Sequence, residues 1–411
     1  MLKSFSIDGF KSFRKLELRL PRLTVLFGPN AAGKSNILDA IQALSRIATS
    51  RTVAEAMRSP IRGHPLEAFT FPETGLAGLL ASDSAGFTLQ ADLEIGHESY
   101  RYRITVAIQP ASGNLSVADE YLASLTSRGE QRGSAYVERS DGKLFIRRKS
   151  HPGRPRKEDV GQNYAVLSDP RLGAPEYRGL ERVRTELSGW RTYYLDPRIS
   201  MRVARPPMEV KDIGPLGGDI APFLYRLKAE RPKHFDAIRR TLRSLVPTVE
   251  DVTVDLDKRR GTLEVLVKQD GIEFSSRVVS EGTLRVLAMC AIAANPWKPS
   301  LLAFEEPENG VHPGRVELIA QLLTSMAVDQ SQQVIVTSHS PLFCAAILRQ
   351  SHAHPRDIAL LNVRRAGADS EATVFKVTGP LFSDTEVTEG LTDRGEDGVF
   401  EGLILRGMLD G

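Results

Sequence analysis

The segment Gly28-Pro29-Asn30-Ala31-Ala32-Gly33-Lys34-Ser35 constrains this 411-residue chain more than any other. It fits the spacing G-x4-G-K-S. Glycines at those places let consecutive backbone N–H groups turn toward one anion, and a following helix adds its own N-terminus. The flanks agree. Leu23 to Phe27 is a short, continuously apolar run, as a central buried strand requires. From Lys34 to Ile47 the residues Ile37, Leu38, Ile41, Leu44 and Ile47 fall on one helical face. In such a loop Lys34 reaches the β- and γ-phosphates of a nucleotide and Ser35 ligates Mg²⁺, with Asn36 next in line. A chance glycine-rich turn accounts for the loop but not for the strand before it and the helix after it.

Two other apolar runs end in polar groups. Leu301 to Phe304 is followed by Glu305 and Glu306. In open α/β sheets ligands bind at the carboxyl ends of strands. Two adjacent acids there can divide the work, Glu305 holding the metal shell through water and Glu306 polarising an attacking water. Val334-Ile335-Val336-Thr337-Ser338 leads to His339, placed to meet a γ-phosphate or to order the water. Taken singly, a solvated acidic turn and a structural histidine are the plainer readings. Ser280-Glu281-Gly282-Thr283 opens an apolar helix, either as another anion-accepting helix start or as a helix simply capped by Ser280.

The last third alternates helix and strand, the rhythm of a parallel sheet. Helices are expected from Glu281 to Ala294, from Gly314 to Ala327 and from Pro341. Residues 85–150 read instead as antiparallel strands, and residues 250–279 as strands turning at Arg260-Gly261 and Asp270-Gly271. Residues 176–188 and 218–246 read as helical, and Trp190 to Leu195 as a strand. The stretch HPGRPRKED after Lys149 reads as an exposed loop. The end of the chain, from about Asp369, is rich in acids. The expected divisions are 1–84, the first half of a nucleotide-binding head; 85–250, antiparallel strands and a variable insert; 251–368, the second half of the head; and 369–411, an acidic tail.

Bulk properties exclude several classes. No apolar run is long enough to span a membrane, and the N-terminus lacks the apolar core of a signal peptide, so a cytoplasmic location is expected. The two cysteines, Cys290 and Cys344, lack metal-site spacing and read as buried thiols. The net charge of +3 is too small to argue for nucleic acid by itself. Charge is concentrated locally, though. Arg147, Arg148, Lys149, Arg154, Arg156 and Lys157 lie close in sequence, and GRPRK resembles the core of an AT-hook. Double-stranded DNA is therefore one expected partner; a solvated basic loop is the alternative.

The order of Gly28–Ser35, Ser280–Thr283, Leu301–Glu306 and His339 resembles the ABC-type ATPases, and more narrowly the SMC/RecF/OLD-like AAA ATPase group. FEEPENGVHP (Phe304 to Pro313), SEGTLR (Ser280 to Arg285), TSHSP (Thr337 to Pro341) and GFKSFRKLEL (Gly9 to Leu18) resemble phrases of that group. The resemblance implies an α/β P-loop head with an antiparallel β subdomain, a mostly parallel core sheet flanked by helices, and a mixed α/β insert. It implies ATP and Mg²⁺ as ligands. Gly28 to Ser35 takes the place of the Walker A loop, Glu305 the Walker B acid, Glu306 the catalytic carboxylate and His339 the switch histidine. Asn309 to His312 would be the D-loop. Ser280, Glu281 and Gly282 would be the signature that closes over ATP on a second subunit, which implies a head-to-tail homodimer. Two departures stand out. Glu305 occupies a place where the family usually has Asp, and SEGT replaces LSGGQ. The Q-loop has no clear counterpart; Gln90 is the nearest candidate, and a plain strand residue is the simpler reading.

Among branches of the group, the stretch between Ser35 and Ser280 is too long for a transporter subunit. It lacks the heptads of an SMC arm, and the segment after His339 is too short for a Toprim domain. Three readings remain. One is an ATPase or sensor subunit that controls a separately encoded effector, such as a Toprim-like nuclease, in a bacterial anti-phage module. The others are a RecF-like DNA-repair ATPase and an ATP-dependent clamp that does not hydrolyse.

Overall fold

The computed structural model describes residues 1–58, 62–149 and 153–375. In chain order the strands are β1 (Leu2–Phe10), β2 (Phe13–Arg19), β3 (Leu23–Phe27), β4 (Ala85–Ile95), β5 (Glu98–Gln109), β6 (Asn114–Leu125), β7 (Val137–Ser140), β8 (Lys143–Ile146), β9 (Arg156–Asp159), β10 (Trp190–Tyr193), β11 (Asp251–Asp257), β12 (Thr262–Gln269), β13 (Ile272–Ser275), β14 (Leu301–Glu305), β15 (Gln333–Ser338), β16 (Ile358–Ala366) and β17 (Asp369–Val374). The helices are α1 (Lys34–Ile47), α2 (Val53–Ala56), α3 (Gly75–Leu80), α4 (Arg178–Ser188), α5 (Ile220–Glu230), α6 (Pro232–Leu245), α7 (Glu281–Ala293), α8 (Val316–Val328) and α9 (Pro341–Ala353).

The chain forms two compact units. The first comprises residues 1–21, 29–190 and 362–373. Its main sheet has the order β2-β1-β4-β5-β6-β7-β8-β9, antiparallel in every pair. Burial alternates along β4 and β5, as expected for strands with one face in a core. Asp141-Gly142, between β7 and β8, has φ 50° and 73°, the pair of left-handed residues that a tight hairpin turn needs. The sheet joins the chain's first strands to residues 85–159, so the antiparallel part of the expected insert continues the N-terminal sheet.

The second unit comprises residues 22–28, 191–361 and 374–375 of the described residues. Its central strands run in the order β10-β14-β15-β3-β16, and β14 pairs with β15 and β15 with β3 in parallel. β3 and β15 are buried at every residue, because helices cover a parallel sheet on both faces. The core runs from β3, β14 and β15 through α7 and α8 to α5 and α6. Cys290 and Cys344 are buried, free thiols within it. The hairpin pair β11–β12–β13 forms a separate three-stranded sheet.

Two local expectations are corrected. Arg156–Asp159 is not loop but the edge strand β9, paired with β8. Two contacts cross from β9 to β8: Lys143 pairs with Asp159 at 3.6 Å, and the Lys157 ammonium lies 4.9 Å from the centre of the Phe145 ring. The segment from Asp369 begins with strand β17, which the acid-rich reading overlooked, as was β16. Residues 376–411, with most of the expected acidic tail, lie outside the described residues. Among the described residues no helix is long and apolar enough to cross a membrane.

Candidate nucleotide site

The loop after β3 has the backbone its glycines allow. Gly28 and Gly33 adopt φ 144° and 107°, and Ala31 is left-handed at φ 64°. Gly33 also leaves no room for a side chain. A Cβ there would stand 2.8 Å from the hydroxyls of Ser12 and Ser370 and 3.1 Å from the Phe13 ring. Gly33 is the N-cap of α1, and no side chain caps that helix. An uncapped N-terminus at the end of a glycine loop fits a phosphate, which would take the place of the missing cap. Lys34 is buried and donates from Nζ to the Pro29 carbonyl at 2.7 Å, so its ammonium lies inside the loop it would serve.

Next to the loop, the first unit contains a cavity of about 610 Å³. Lys11, Ser12, Arg14, Asn36 and Arg62 line it. Asn36 donates to the Ser12 hydroxyl at 2.9 Å, which fixes one wall. Asp39, fully buried on α1, holds two of the cations: Lys11 at 2.6 Å and Arg62 at 2.9 Å. Neither Ser12 nor Asp39 was singled out from sequence. Ser12 sits in the quoted GFKSFRKLEL phrase, and Asp39 lies on the face of α1 opposite the apolar one, where no sequence signal marked it.

In the second unit, register aligns the polar strand ends. Phe27 of β3 lies opposite Ser338 of β15, and Thr337 lies opposite Glu305 of β14. Gly28, Glu305 and His339 therefore leave one edge of one parallel sheet. Glu306 follows with φ 45°, a left-handed backbone for a residue other than glycine. Such strain persists only where the surroundings enforce it. Here the Glu306 N–H donates to the Thr337 carbonyl at 3.0 Å, and the Asn309 N–H donates to the Glu306 carbonyl at 3.0 Å. The bent backbone turns the Glu306 carboxylate to His339, Nδ1 to Oε1 at 2.7 Å. Both side chains keep access to solvent.

Behind this pair stands a buried one. Glu308 accepts from the Ser338 hydroxyl, and burial pushes its carboxyl up to about 7. Its other oxygen has no hydrogen-bond partner among the described residues. Arg285, from the first turns of α7, is largely buried, and desolvation lowers its pKa despite the carboxylates of Glu308, Glu281 and Glu306. Arg285 and Glu308 lie inside the quoted SEGTLR and FEEPENGVHP phrases, but the spacing gave neither a task.

Ser280 caps α7 by accepting from the Thr283 N–H at 3.2 Å. The capped-start reading is thus correct as far as it goes. Glu281 pairs with Arg198 at 2.9 Å on the exposed side. Gly282 carries a constraint of its own, because a Cβ there would collide with the Gly310 carbonyl oxygen. The start of α7 therefore packs backbone to backbone on the Asn309–His312 turn. Gln90 is a residue of β4, opposite Ser6 and Arg103, and a Q-loop counterpart stays unassigned.

The fold and these strand-end residues define an ABC/SMC-like P-loop head. A family model described as "AAA domain, putative AbiEii toxin, Type IV TA system" matches residues 23–345, and the chain belongs to that family. Two solved structures share the fold. The SMC head bound to the C-terminal winged-helix domain of ScpA superposes with a TM-score of 0.51 at 16% identity, over 92% of this chain and 98% of that one. The Smc head from Pyrococcus furiosus, bound to the C-terminal domain of ScpA, gives 0.52 at 14% identity, over 95% and 99%. In sequence, 93 residues are 33% identical to the chromosome partition protein Smc of Methanocaldococcus jannaschii; they span 22% of this chain and 8% of that protein.

Proposed function

We propose that the chain binds ATP with Mg²⁺ at Gly28–Asn36 and hydrolyses it. The observation that carries the proposal is the Glu306–His339 pair, held on the sheet edge where β3 delivers Gly28. The loop N–H groups and Lys34 take the phosphates, and the cavity beside Asn36 takes the nucleoside. Ser35 and Glu305 supply oxygen ligands for Mg²⁺, which when bound neutralises charge across the β- and γ-phosphates. Glu305 stands where the family usually has Asp, and its longer side chain changes the distance to the metal. Glu306 accepts the proton of the attacking water. His339 orients Glu306 through Nδ1, leaving Nε2 for the γ-phosphate.

Closure of the site by Ser280, Glu281 and Gly282 of a second copy is part of the proposal. It is supported by the packing of Gly282 on the turn after Glu306, which ties the start of α7 to the hydrolytic carboxylate. We assign the chain the role of an ATPase or sensor subunit for a separately encoded effector, such as a Toprim-like nuclease, in an anti-phage module. The family description, which refers to a TA system, favours a small module of this kind. A RecF-like reading has one favourable observation. Arg154 is exposed and has no partner among the described residues. Lys149 is likewise exposed, whereas Arg147 is committed to Glu138 and Arg156 to Glu158.

ATP turnover by the native protein and by Glu306→Gln, each with and without duplex DNA, tests these readings. Turnover lost in the variant supports hydrolysis at this site. Stimulation by DNA that disappears in Arg154→Ala/Arg156→Ala/Lys157→Ala favours the DNA reading. ATP binding with no turnover in either protein would leave a non-hydrolytic clamp.

A further inference from the structure

The first unit holds a second cavity, of about 450 Å³, lined from β5, β6, the segment 132–149 and the start of α4. Its size suits a small organic ligand. Six cations line it, Arg132, Arg147, Arg148, Lys149, Arg178 and Arg182, against the carboxylates of Glu98 and Glu176. Three of the cations brace the wall. Arg147 donates to Glu138 and, at 2.8 Å, to the Ala135 carbonyl. Arg182 pairs with Glu98 and donates to the Tyr100 hydroxyl at 3.2 Å. Arg148 donates from Nε to the Tyr177 hydroxyl at 3.1 Å. The other three, Arg132, Lys149 and Arg178, are exposed and have no carboxylate partner among the described residues. A cavity with that balance of charge favours an anion.

The rest of the lining is aromatic. Tyr100 and Tyr177 are buried; Tyr136 is half-buried, its ring centre 6.3 Å from that of Tyr100. Tyr136 is placed by a glycine, since a Cβ on Gly179 would stand 3.0 Å from its ring. Gly179 belongs to the first turn of α4, an 11-residue helix with no side-chain cap. Guanidinium groups and free helix N–H groups bind phosphate, and a tyrosine face accepts a base. An acidic peptide would use the cations but has no need of the rings.

We propose that this cavity is a second ligand site, built for a free nucleoside phosphate, with the phosphate on Arg132, Arg178 and the start of α4 and the base against Tyr136. It is separate from the loop after β3 and does not depend on hydrolysis there.

The test is calorimetric titration of the full chain carrying Lys34→Ala, which weakens the first nucleotide site. The probes are AMP, ADP, ATP, cyclic AMP, their guanine counterparts, and adenosine and guanosine. At least one phosphate-bearing probe should bind with one site per chain, at least tenfold tighter than its parent nucleoside. Adding Arg132→Glu and Arg178→Glu should weaken it at least tenfold, and Tyr136→Ala should weaken it as well. The melting temperature should not move, because both arginines are exposed and unpaired. If the double reversal does destabilise the chain, Arg132→Gln alone provides the same reading. In the chain that keeps Lys34, the double reversal should leave ATP turnover unchanged. The proposal fails if no nucleoside phosphate binds, or if binding ignores Arg132, Arg178 and Tyr136. It fails equally if only oligonucleotides or acidic peptides bind.

Discussion

At the carboxyl edge of the parallel sheet, the polar groups arrive in short runs, each at the end of a buried strand. Around the second cavity they come from several separate places between Glu98 and Arg182, Arg147-Arg148-Lys149 and Glu176-Tyr177-Arg178 among them, on strands, turns and a helix start. The first arrangement fixes its chemistry by register. Once β3, β14 and β15 pair in parallel, Gly28, Glu305 and His339 must emerge together. The second has no register to rely on, and uses braces instead: Arg147 on Glu138, Arg182 on Glu98, Arg148 on Tyr177. A site made by register is compact in sequence. A site made by bracing is dispersed.

The sharpest way to break the comparison is Glu306→Gln. If the sheet edge alone carries the hydrolysis, steady-state turnover of ATP should fall about a hundred- to ten-thousandfold, the usual worth of a general base. ATP affinity should hold or rise. A loss of less than tenfold would move the base elsewhere and remove the contrast between the two regions.

That difference also decides what was legible. β3 and α1 were read to the residue, and β14 and β15 to within one, because a continuous apolar run followed by a polar turn is a local signal. The Glu306–His339 contact was not visible, since it depends on a left-handed backbone at a residue other than glycine. β9 was hidden because it pairs with β8 through Lys157 over Phe145 and Lys143 with Asp159, not by apolar alternation. β16 and β17 turn at Gly367 between polar ends, where composition resembles a tail. The second cavity left only its basic residues in view. Tyr136 and Tyr177 lie next to its cations in sequence, but only the fold brings Arg132, Arg147, Arg148, Lys149 and the start of α4 together with Tyr100.

A second test contrasts two carboxylates. Glu306 is open to solvent, whereas Glu120 of β6 is fully buried in the antiparallel unit. Glu120 accepts from the N–H groups of Val166 and Leu167 at 2.6 and 2.9 Å and from the Tyr102 hydroxyl at 3.0 Å. Burial outweighs those bonds and pushes its carboxyl from 4.5 up to about 7. The native state therefore holds a proton that the unfolded chain releases. This contribution is complete below about 4.5 and is lost as pH rises through about 7. A shift of that size corresponds to roughly 3 kcal/mol. Denaturant melts of the native protein should lose stability over that window. Glu120→Gln should flatten the slope, and an unchanged slope would assign the titration to another group.

Gly282→Ala probes the packing that register leaves to a single glycine. Its methyl would enter the space of the Gly310 carbonyl oxygen, which belongs to backbone and cannot rotate away. Overpacking of this kind costs about 1–3 kcal/mol. Thermal melting should show that loss, and turnover should fall with it, because the displaced turn is the one that follows Glu306. The contrasting change is Gly142→Ala. It meets open space, and its cost comes only from the left-handed backbone. It should leave turnover untouched.

The smallest effect separates two basic residues that the sequence placed in one stripe. Lys157 is on β9, its ammonium 4.9 Å from the centre of the Phe145 ring, while Arg154 is exposed without a partner among the described residues. Lys157→Ala should cost about 0.5–1 kcal/mol, the worth of an exposed cation–π contact. Arg154→Ala should change stability by less than about 0.5 kcal/mol. Equilibrium unfolding in urea resolves the two. If Lys157 proves as neutral as Arg154, β9 is held without the Phe145 contact, by its backbone pairing and the Lys143–Asp159 pair. The basic stretch is then free to act as one unit on DNA, as the sequence suggested. If the difference appears, Lys157 is committed to the fold, and any anion that this region binds must be met by Arg154 and by the unpaired cations of the neighbouring cavity.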